Sequence, residues 1–263
     1  MSGTDLAGRV AVVTGGSRGL GRAIALGLAR AGAKVAIASR KLEGCEEVAA
    51  QIVAAGGAAS AHRFDAGRWE SCDRLHDEVN SRWGTARILV NNAGMSPVAP
   101  SSLETSEALF DKIVAVNMKA VFRLTALFGS QMKREGGGAI VNISSTGSLR
   151  PDPSFAPYAA AKAGLNLLTQ TFAQEYGPEV RVNTVLPGPF HTGATAAWSR
   201  SDEFRLHAER ALPLGRAGEP DEIVGALLYL VSDLSSFTTG AAIAVDGGHL
   251  VGAARGATAQ GPG

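Results

Sequence analysis

Residues 9–21 read RVAVVTGGSRGLG, and this stretch decides the fold. A short β-branched apolar run over 9–14 breaks into Gly15-Gly16-Ser17-Arg18-Gly19-Leu20-Gly21, and a helical pattern begins at Arg22. The order is therefore strand, glycine turn, helix. Glycines let the backbone come close to a bound group, while a helix N-terminus presents unpaired N–H groups and a partial positive charge suited to a pyrophosphate. The spacing is GxxxGxG, which differs from the GxGxxG dinucleotide fingerprint. On these residues alone the turn is either a nucleotide cradle or a tight strand-to-helix connection. Gly15, Ser17, Arg18, Gly19, Leu20 and Gly21 are its candidate contacts.

Working outward, a second run over 34–39 closes on Ser39-Arg40. An acidic residue about 20 positions after the glycine turn would bond an adenine ribose and repel a 2′-phosphate. Ser39 stands there instead. Arg40 follows it and Arg18 lies in the turn, so two guanidinium groups can converge on a 2′-phosphate, which favours NADP(H) over NAD(H). Two solvated surface arginines are the alternative. A third run over 58–64 stops at Asp65-Ala66, where Asp65 either bonds an adenine amino group or caps the helix starting near Arg68. The fourth run, 87–90, leads into Asn91-Asn92-Ala93-Gly94, two amides and a glycine that leave room for a cofactor ring.

Repeated β-α-β units predict an α/β fold, a parallel sheet with right-handed crossovers. A long helical stretch over 106–134 carries Asn117 in its interior, where Asn is a poor helix former and is either water-facing or held for a reason. A fifth strand over 139–143 leads to Ser144-Ser145, and a sixth over 180–186 closes on Pro187-Gly188-Pro189-Phe190-His191-Thr192. That closing segment is either a structural turn or a contact for a nicotinamide carboxamide through Pro187, Gly188 and Thr192. Residues 193–212 read as a helical insertion after a Pro/Gly break, within a substrate lid of about 190–212. A last strand is expected over 242–245. The expectation is one domain over 1–251 and a disordered, Gly-rich tail over 252–263.

Composition narrows the class. The 263 residues are 45% apolar and 19% charged with 33 glycines, which describes a globular chain with many tight turns. A net charge of +1 lacks the basic excess of a nucleic-acid binder. Cys45 and Cys72 have neither CxxC spacing nor a His cluster, so no metal site is expected. The N-terminus lacks a signal-peptide pattern, and no unbroken apolar run approaches the 18 or so residues that span a bilayer, so no membrane partner and a cytoplasmic location are expected.

In Tyr158-Ala159-Ala160-Ala161-Lys162 a phenol and an ammonium lie on one helix face, about a turn apart. A nearby cation stabilises a phenolate, so the pair is an acid/base device or a chance spacing. With Thr14 to Gly21, Asn91 to Gly94, Asn117 and Ser145 in the same order, the chain resembles the short-chain dehydrogenase/reductase family over roughly 6–250. The resemblance extends to Pro187-Gly188 with Thr192 and to Val245-Asp246-Gly247-Gly248. It implies a single-domain Rossmann-type doubly wound sheet with helices on both faces, and a catalytic tetrad of Asn117, Ser145, Tyr158 and Lys162.

By that resemblance Tyr158 donates the proton to a carbonyl that receives a hydride, Ser145 polarises the same oxygen, and Lys162 depresses the Tyr158 pKa and binds the nicotinamide ribose. Asn117 holds backbone and a water leading to Lys162. Gly147 falls one residue earlier, and Ala66 is smaller, than in many relatives. The expected substrate is a small ketone or secondary alcohol, a 3-oxoacyl thioester or else a sugar or polyol, read by an apolar surface including Met95, Pro97, Leu149, Phe155, Phe190 and Trp198, or by Arg150, Asp152 and Arg200 if it is charged. A homotetramer, or a homodimer, is implied. A cofactor-sensing protein without turnover is the competing class.

Overall fold

The structure, a computed structural model, describes residues 3–193 and 201–252. Trp198 and Arg200, and the expected tail from 253 on, lie outside the described residues. Seven strands form one parallel sheet: β1 (Val10–Thr14), β2 (Lys34–Ser39), β3 (Ala58–Arg63), β4 (Ile88–Asn91), β5 (Gly138–Ile143), β6 (Val180–Pro187) and β7 (Ala242–Val245). Their order is β3-β2-β1-β4-β5-β6-β7. The helices are α1 (Gly19–Arg30), α2 (Leu42–Ala54), α3 (Trp69–Trp83), α4 (Glu107–Val114), α5 (Ala120–Arg134), α6 (Ala156–Tyr176), α7 (Asp202–Ala211) and α8 (Val224–Val231).

Central parallel strands are covered on both faces, so they need nearly continuous apolar runs. In β1, Ala11 and Val13 point into a core closed by α1, α2 and α8, while Val10 and Val12 point into one closed by α3, α5 and α6. This is the doubly wound α/β architecture expected. Each buried Val or Ile there is worth about 1.5–3 kcal/mol. The chain builds outward from β1 to β3 and then returns to place β4 beside β1, so the loops after β1 and β4 part in opposite directions. A crevice opens between them at the carboxyl end of the sheet.

The expected single regular helix over 106–134 is in fact α4 and α5 joined through a π-helical turn, Ala115–Lys119. Asn117 is the cause: its Nδ2 donates to the Ile113 carbonyl at 3.0 Å, and a side chain that enters the helical ladder distorts it. By length and composition the 28-residue stretch Glu107–Arg134, with mean hydropathy 1.3 in its best window, would suit a membrane span; half of that window is buried inside the protein.

A buried polar row crosses the sheet. Asn91, Asn142 and Thr184 are register partners on β4, β5 and β6. Asn91 Nδ2 donates to Asn142 Oδ1 (2.9 Å) and Thr125 Oγ1 (3.1 Å). Asn142 Nδ2 donates to Thr169 Oγ1 (2.9 Å), which also receives the Thr184 hydroxyl (2.8 Å). Burying polar groups costs stability unless they are paired, and in this row Asn91 Oδ1 alone is buried without a partner.

Candidate active site

The crevice is built from the ends of β1 and β4. Thr14 Oγ1 accepts from the backbone N–H of Asn92 (3.0 Å) and of Ala93 (3.1 Å), which ties the two strand ends together. Asn92 Nδ2 donates to the carbonyls of Thr14 (2.9 Å) and Gly15 (3.2 Å). Gly15 and Gly19 adopt φ of 64° and 54°, a region open to glycine. At Gly21 a Cβ would lie 2.2 Å from the Gly15 carbonyl oxygen, so the turn closes only without a side chain there.

Asn91, expected at the cofactor, has its side chain in the polar row instead, because it occupies an inward-facing strand position. Its neighbour Asn92 braces the glycine turn. Two amides at a strand end were expected to bond backbone groups, and Asn92 does so; the bracing by Thr14 was not anticipated.

The Arg18 side chain at the N-cap does not cap α1, so the start of the helix suits an anion. Ser39 Oγ lies 3.0 Å from Ser17 Oγ, 3.1 Å from the Lys41 carbonyl and 3.2 Å from Cys45 Sγ. Arg18 and Arg40 flank this cluster in sequence, are exposed, and their guanidinium groups make no hydrogen bond or ion pair among the described residues. A cleft of about 340 Å³ beside the turn is lined in part by Gly19, Arg22, His191 and Thr192. A Cβ on Gly19 would approach the Thr192 Cβ to 3.4 Å. An uncapped helix start, glycines with no room for side chains and unpaired guanidinium groups together fit a phosphate-bearing dinucleotide.

Other expected contacts are placed less directly. Asp65 Oδ1 accepts from the Gly67 N–H at 2.9 Å and Ala66 is buried, so both take part in the turn from β3 to α3. Pro187 ends β6, and the Gly188 N–H bonds the Val245 carbonyl at 3.0 Å. Phe190, expected on the substrate surface, is 5% exposed and packs against Gly218, where apolar burial outweighs any surface role.

At the reacting end, α6 places Tyr158 and Lys162 one turn apart. Lys162 is buried, its Nζ donates to the Ile143 carbonyl at 2.7 Å, and it stands 5.8 Å from the Tyr158 ring centre. The Ser145 hydroxyl lies beside the Tyr158 phenol, and its Oγ accepts from the Gly147 N–H at 3.0 Å. Ser144 turns away, donating to the Lys162 carbonyl at 3.2 Å. Asn117 holds the Met95 backbone from both sides, accepting from its N–H (3.2 Å) and donating to its carbonyl (2.8 Å). A Cβ on Gly94 would lie 3.0 Å from Asn117 Oδ1 and 3.6 Å from Lys162 Nζ, which shows how closely the three meet.

Burial pulls the Lys162 ammonium down to about 8. Burial also pushes the Tyr158 phenol above its ordinary value, opposed by the Ser145 hydroxyl beside it. In the protein alone burial governs both groups, and the Lys162 Nζ is bound to the Ile143 carbonyl.

A second Ser-His-carboxylate row exists away from the crevice. His62 lies 2.8 Å from both Ser60 Oγ and Glu78 Oε2. Ser60 is buried and its Oγ accepts from Trp83 Nε1 at 2.9 Å, so a substrate has no approach to it. Among the described residues no group of three or more His, Cys, Asp or Glu side chains forms a metal site.

A family model described as enoyl-(acyl carrier protein) reductase matches residues 15–249. The chain is 38% identical to 3beta-hydroxysteroid dehydrogenase 1 of Eggerthella lenta over 93% of its own length and 94% of that protein's. It is 39% identical to 7alpha-hydroxysteroid dehydrogenase of Clostridium sardiniense, covering 94% and 95%. A solved structure of a putative NAD(P)-dependent gluconate 5-dehydrogenase from Beutenbergia cavernae, with bound NADP at low occupancy, superposes with TM-score 0.90 at 39% identity, covering 95% of this chain and all of that one.

Proposed function

We propose that this chain, which belongs to the short-chain dehydrogenase/reductase family, is an NADP(H)-dependent oxidoreductase that interconverts a ketone and a secondary alcohol with Tyr158 moving the proton. The observation that carries the reading is the meeting of Ser145, Tyr158 and Lys162 beside Gly94 and Asn117 at the carboxyl end of the sheet. Bound dinucleotide supplies the hydride chemistry. The glycine turn and the uncapped start of α1 bind its phosphates, and Arg18 with Arg40 and Ser39 receive the 2′-phosphate. Gly15, Leu20, Ala93, Gly94 and Thr192 border the rest of the crevice.

In the reductive direction negative charge grows on the carbonyl oxygen, and Ser145 and Tyr158 are the donors that meet it. Tyr158 gives up its proton and Ser145 holds the oxygen in place. Lys162 stabilises the phenolate that remains, and oxidation uses the same groups in reverse. Asn117 fixes the floor of the site through Met95.

The substrate is a neutral, moderately apolar carbonyl compound, a 3-oxoacyl thioester being one form. Leu149 is exposed beside the serine turn, whereas Asp152 is engaged with Ser154 and an Arg150 guanidinium nitrogen with the His249 carbonyl. Hydroxysteroid dehydrogenases among the relatives favour the same character. A sugar or polyol is the second reading, favoured by the gluconate dehydrogenase likeness. The protein works as a homotetramer in the cytoplasm, in keeping with its two free, buried cysteines. The lid expected over about 190–212 includes α7, and its residues 194–200 lie outside the described residues.

The experiment is reduction of a panel of ketoacyl thioesters, keto sugars, ketosteroids and cyclohexanone with NADPH and with NADH, for the unmodified protein and for Tyr158→Phe. The expected result is turnover with NADPH that falls by roughly 10²–10⁴-fold in the variant while NADPH still binds. Unchanged turnover in Tyr158→Phe refutes the proton role. NADPH binding without reduction of anything on the panel favours a sensor.

A further inference from the structure

We infer that His249 is a positioning residue for Ser145, acting through Thr146. This rests on the reading of Ser145 and Tyr158 given above. Thr146 follows Ser145 directly, is buried, and opens a 3-10 turn, Thr146–Ser148. That turn supplies the Gly147 N–H that fixes Ser145 Oγ. The turn is held on two sides. From α6, Asn166 Nδ2 donates to Ser148 Oγ at 2.8 Å, and Ser148 Oγ donates to the Ser145 carbonyl at 2.6 Å. From the turn after β7, His249 Nδ1 shares a hydrogen with Thr146 Oγ1 at 3.0 Å.

The imidazole is not needed to shape its own segment. Asp246 already closes that turn, accepting from the Gly248 N–H through Oδ1 and from the Leu250 N–H through Oδ2, each at 2.9 Å. Arg150 Nη1 then ties the far end of the serine loop to the His249 carbonyl at 2.7 Å. So both the backbone and the side chain of His249 grip the loop that carries Ser145. Burial, and Arg150 beside it, hold His249 below its ordinary pKa against the pull of Asp246, with His207 adding to the lowering. The ring is therefore neutral at neutral pH and presents a fixed donor or acceptor to Thr146. A serine that must aim one hydrogen at a developing oxyanion loses rate when its loop drifts.

The test compares His249→Leu, His249→Asn, Thr146→Val and the Leu/Val double variant. Asn places an amide where Nδ1 stood. Two readouts are taken: kcat and KM on whichever panel carbonyl the protein reduces, and the pH titration of the Tyr158 ring resonances in isotope-labelled protein, assigned by their loss in Tyr158→Phe. Groups facing that phenol are Ser145 and Lys162. Expected are a fall in kcat of about tenfold in His249→Leu and in Thr146→Val, no further fall in the double variant, unchanged NADPH affinity, and recovery in His249→Asn. Because the Ser145 hydroxyl beside the phenol favours the phenolate, letting it drift moves the Tyr158 titration to higher pH in the Leu and Val variants. The inference is overturned if His249→Leu leaves kcat and that titration where they were, if the two single losses multiply, or if the effect falls on KM alone. If His249→Leu does not fold, Thr146→Val and His249→Asn carry the comparison. Full turnover in Tyr158→Phe would refute the underlying mechanism instead, and the titration would still decide whether His249 couples to the site.

Discussion

Lys162 keeps an ammonium in the interior with the Ile143 carbonyl as its hydrogen-bond partner, and that costs stability in a pH-dependent way. Its pKa falls from 10.5 to about 8 on folding. Below about 8 both folded and unfolded chains hold the proton and the full cost is present. Between there and 10.5 the unfolded chain holds more protons, so stability rises with pH. We expect cofactor-free Lys162→Met to compare best with the parent at pH 7 and to lose about 2–3 kcal/mol of that relative standing by pH 10, read by urea denaturation of both. Arg40 is the second test at this scale. Arg40→Glu should raise KM for NADPH by about 10–100-fold and leave KM for NADH within about threefold, because a carboxylate repels a 2′-phosphate and accepts from a ribose hydroxyl. Residue identities were largely legible where spacing carries chemistry, as at Tyr158 and Lys162. Direction was harder to read: spacing to Tyr158 singled out Ser145 over Ser144, but nothing in the sequence told which of Asn91 and Asn92 points into the sheet.

The π-helical turn between α4 and α5 shows what an element can conceal. Apolar periodicity over 106–134 reports which face is buried, and one extra residue in the hydrogen-bond ladder hardly disturbs it. What the pattern did show was an Asn in the wrong company, and the structure supplies its reason in the Ile113 and Met95 carbonyls. Asn117→Leu removes both donors and leaves those groups buried, so a loss of about 2–4 kcal/mol is expected, measured from the shift of the urea midpoint at constant slope. Turnover should fall as well, because Met95 then no longer holds the loop beside Gly94.

At the scale of the whole molecule, the parallel α/β architecture was legible in the repeated β-α unit and the handedness of its crossovers, whereas the strand order β3-β2-β1-β4-β5-β6-β7 was not. Assembly was not, since an apolar helix face reads alike whether it meets a core or another chain. Phe110, Phe122 and Leu167 on the α4–α6 side are well exposed, as are Leu234 and Phe237 near the β7 edge. Light scattering should give a mass of four 27.0 kDa chains, and Leu167→Glu or Phe237→Asp should each lower it. A monomeric parent would refute the assembly. The polar row of Asn91, Asn142 and Thr184 has its own consequence for how the chain reaches this state. Parallel strands rich in Val, Ile and Ala could slide past one another with little loss of apolar contact, but a slip strands three buried amide and hydroxyl groups at once. The row therefore acts as an alignment mark that favours one register of β4, β5 and β6 over slipped ones. It sets the heights at which β4, β5 and β6 end, and so the level at which Asn92, Ser145 and Pro187 emerge.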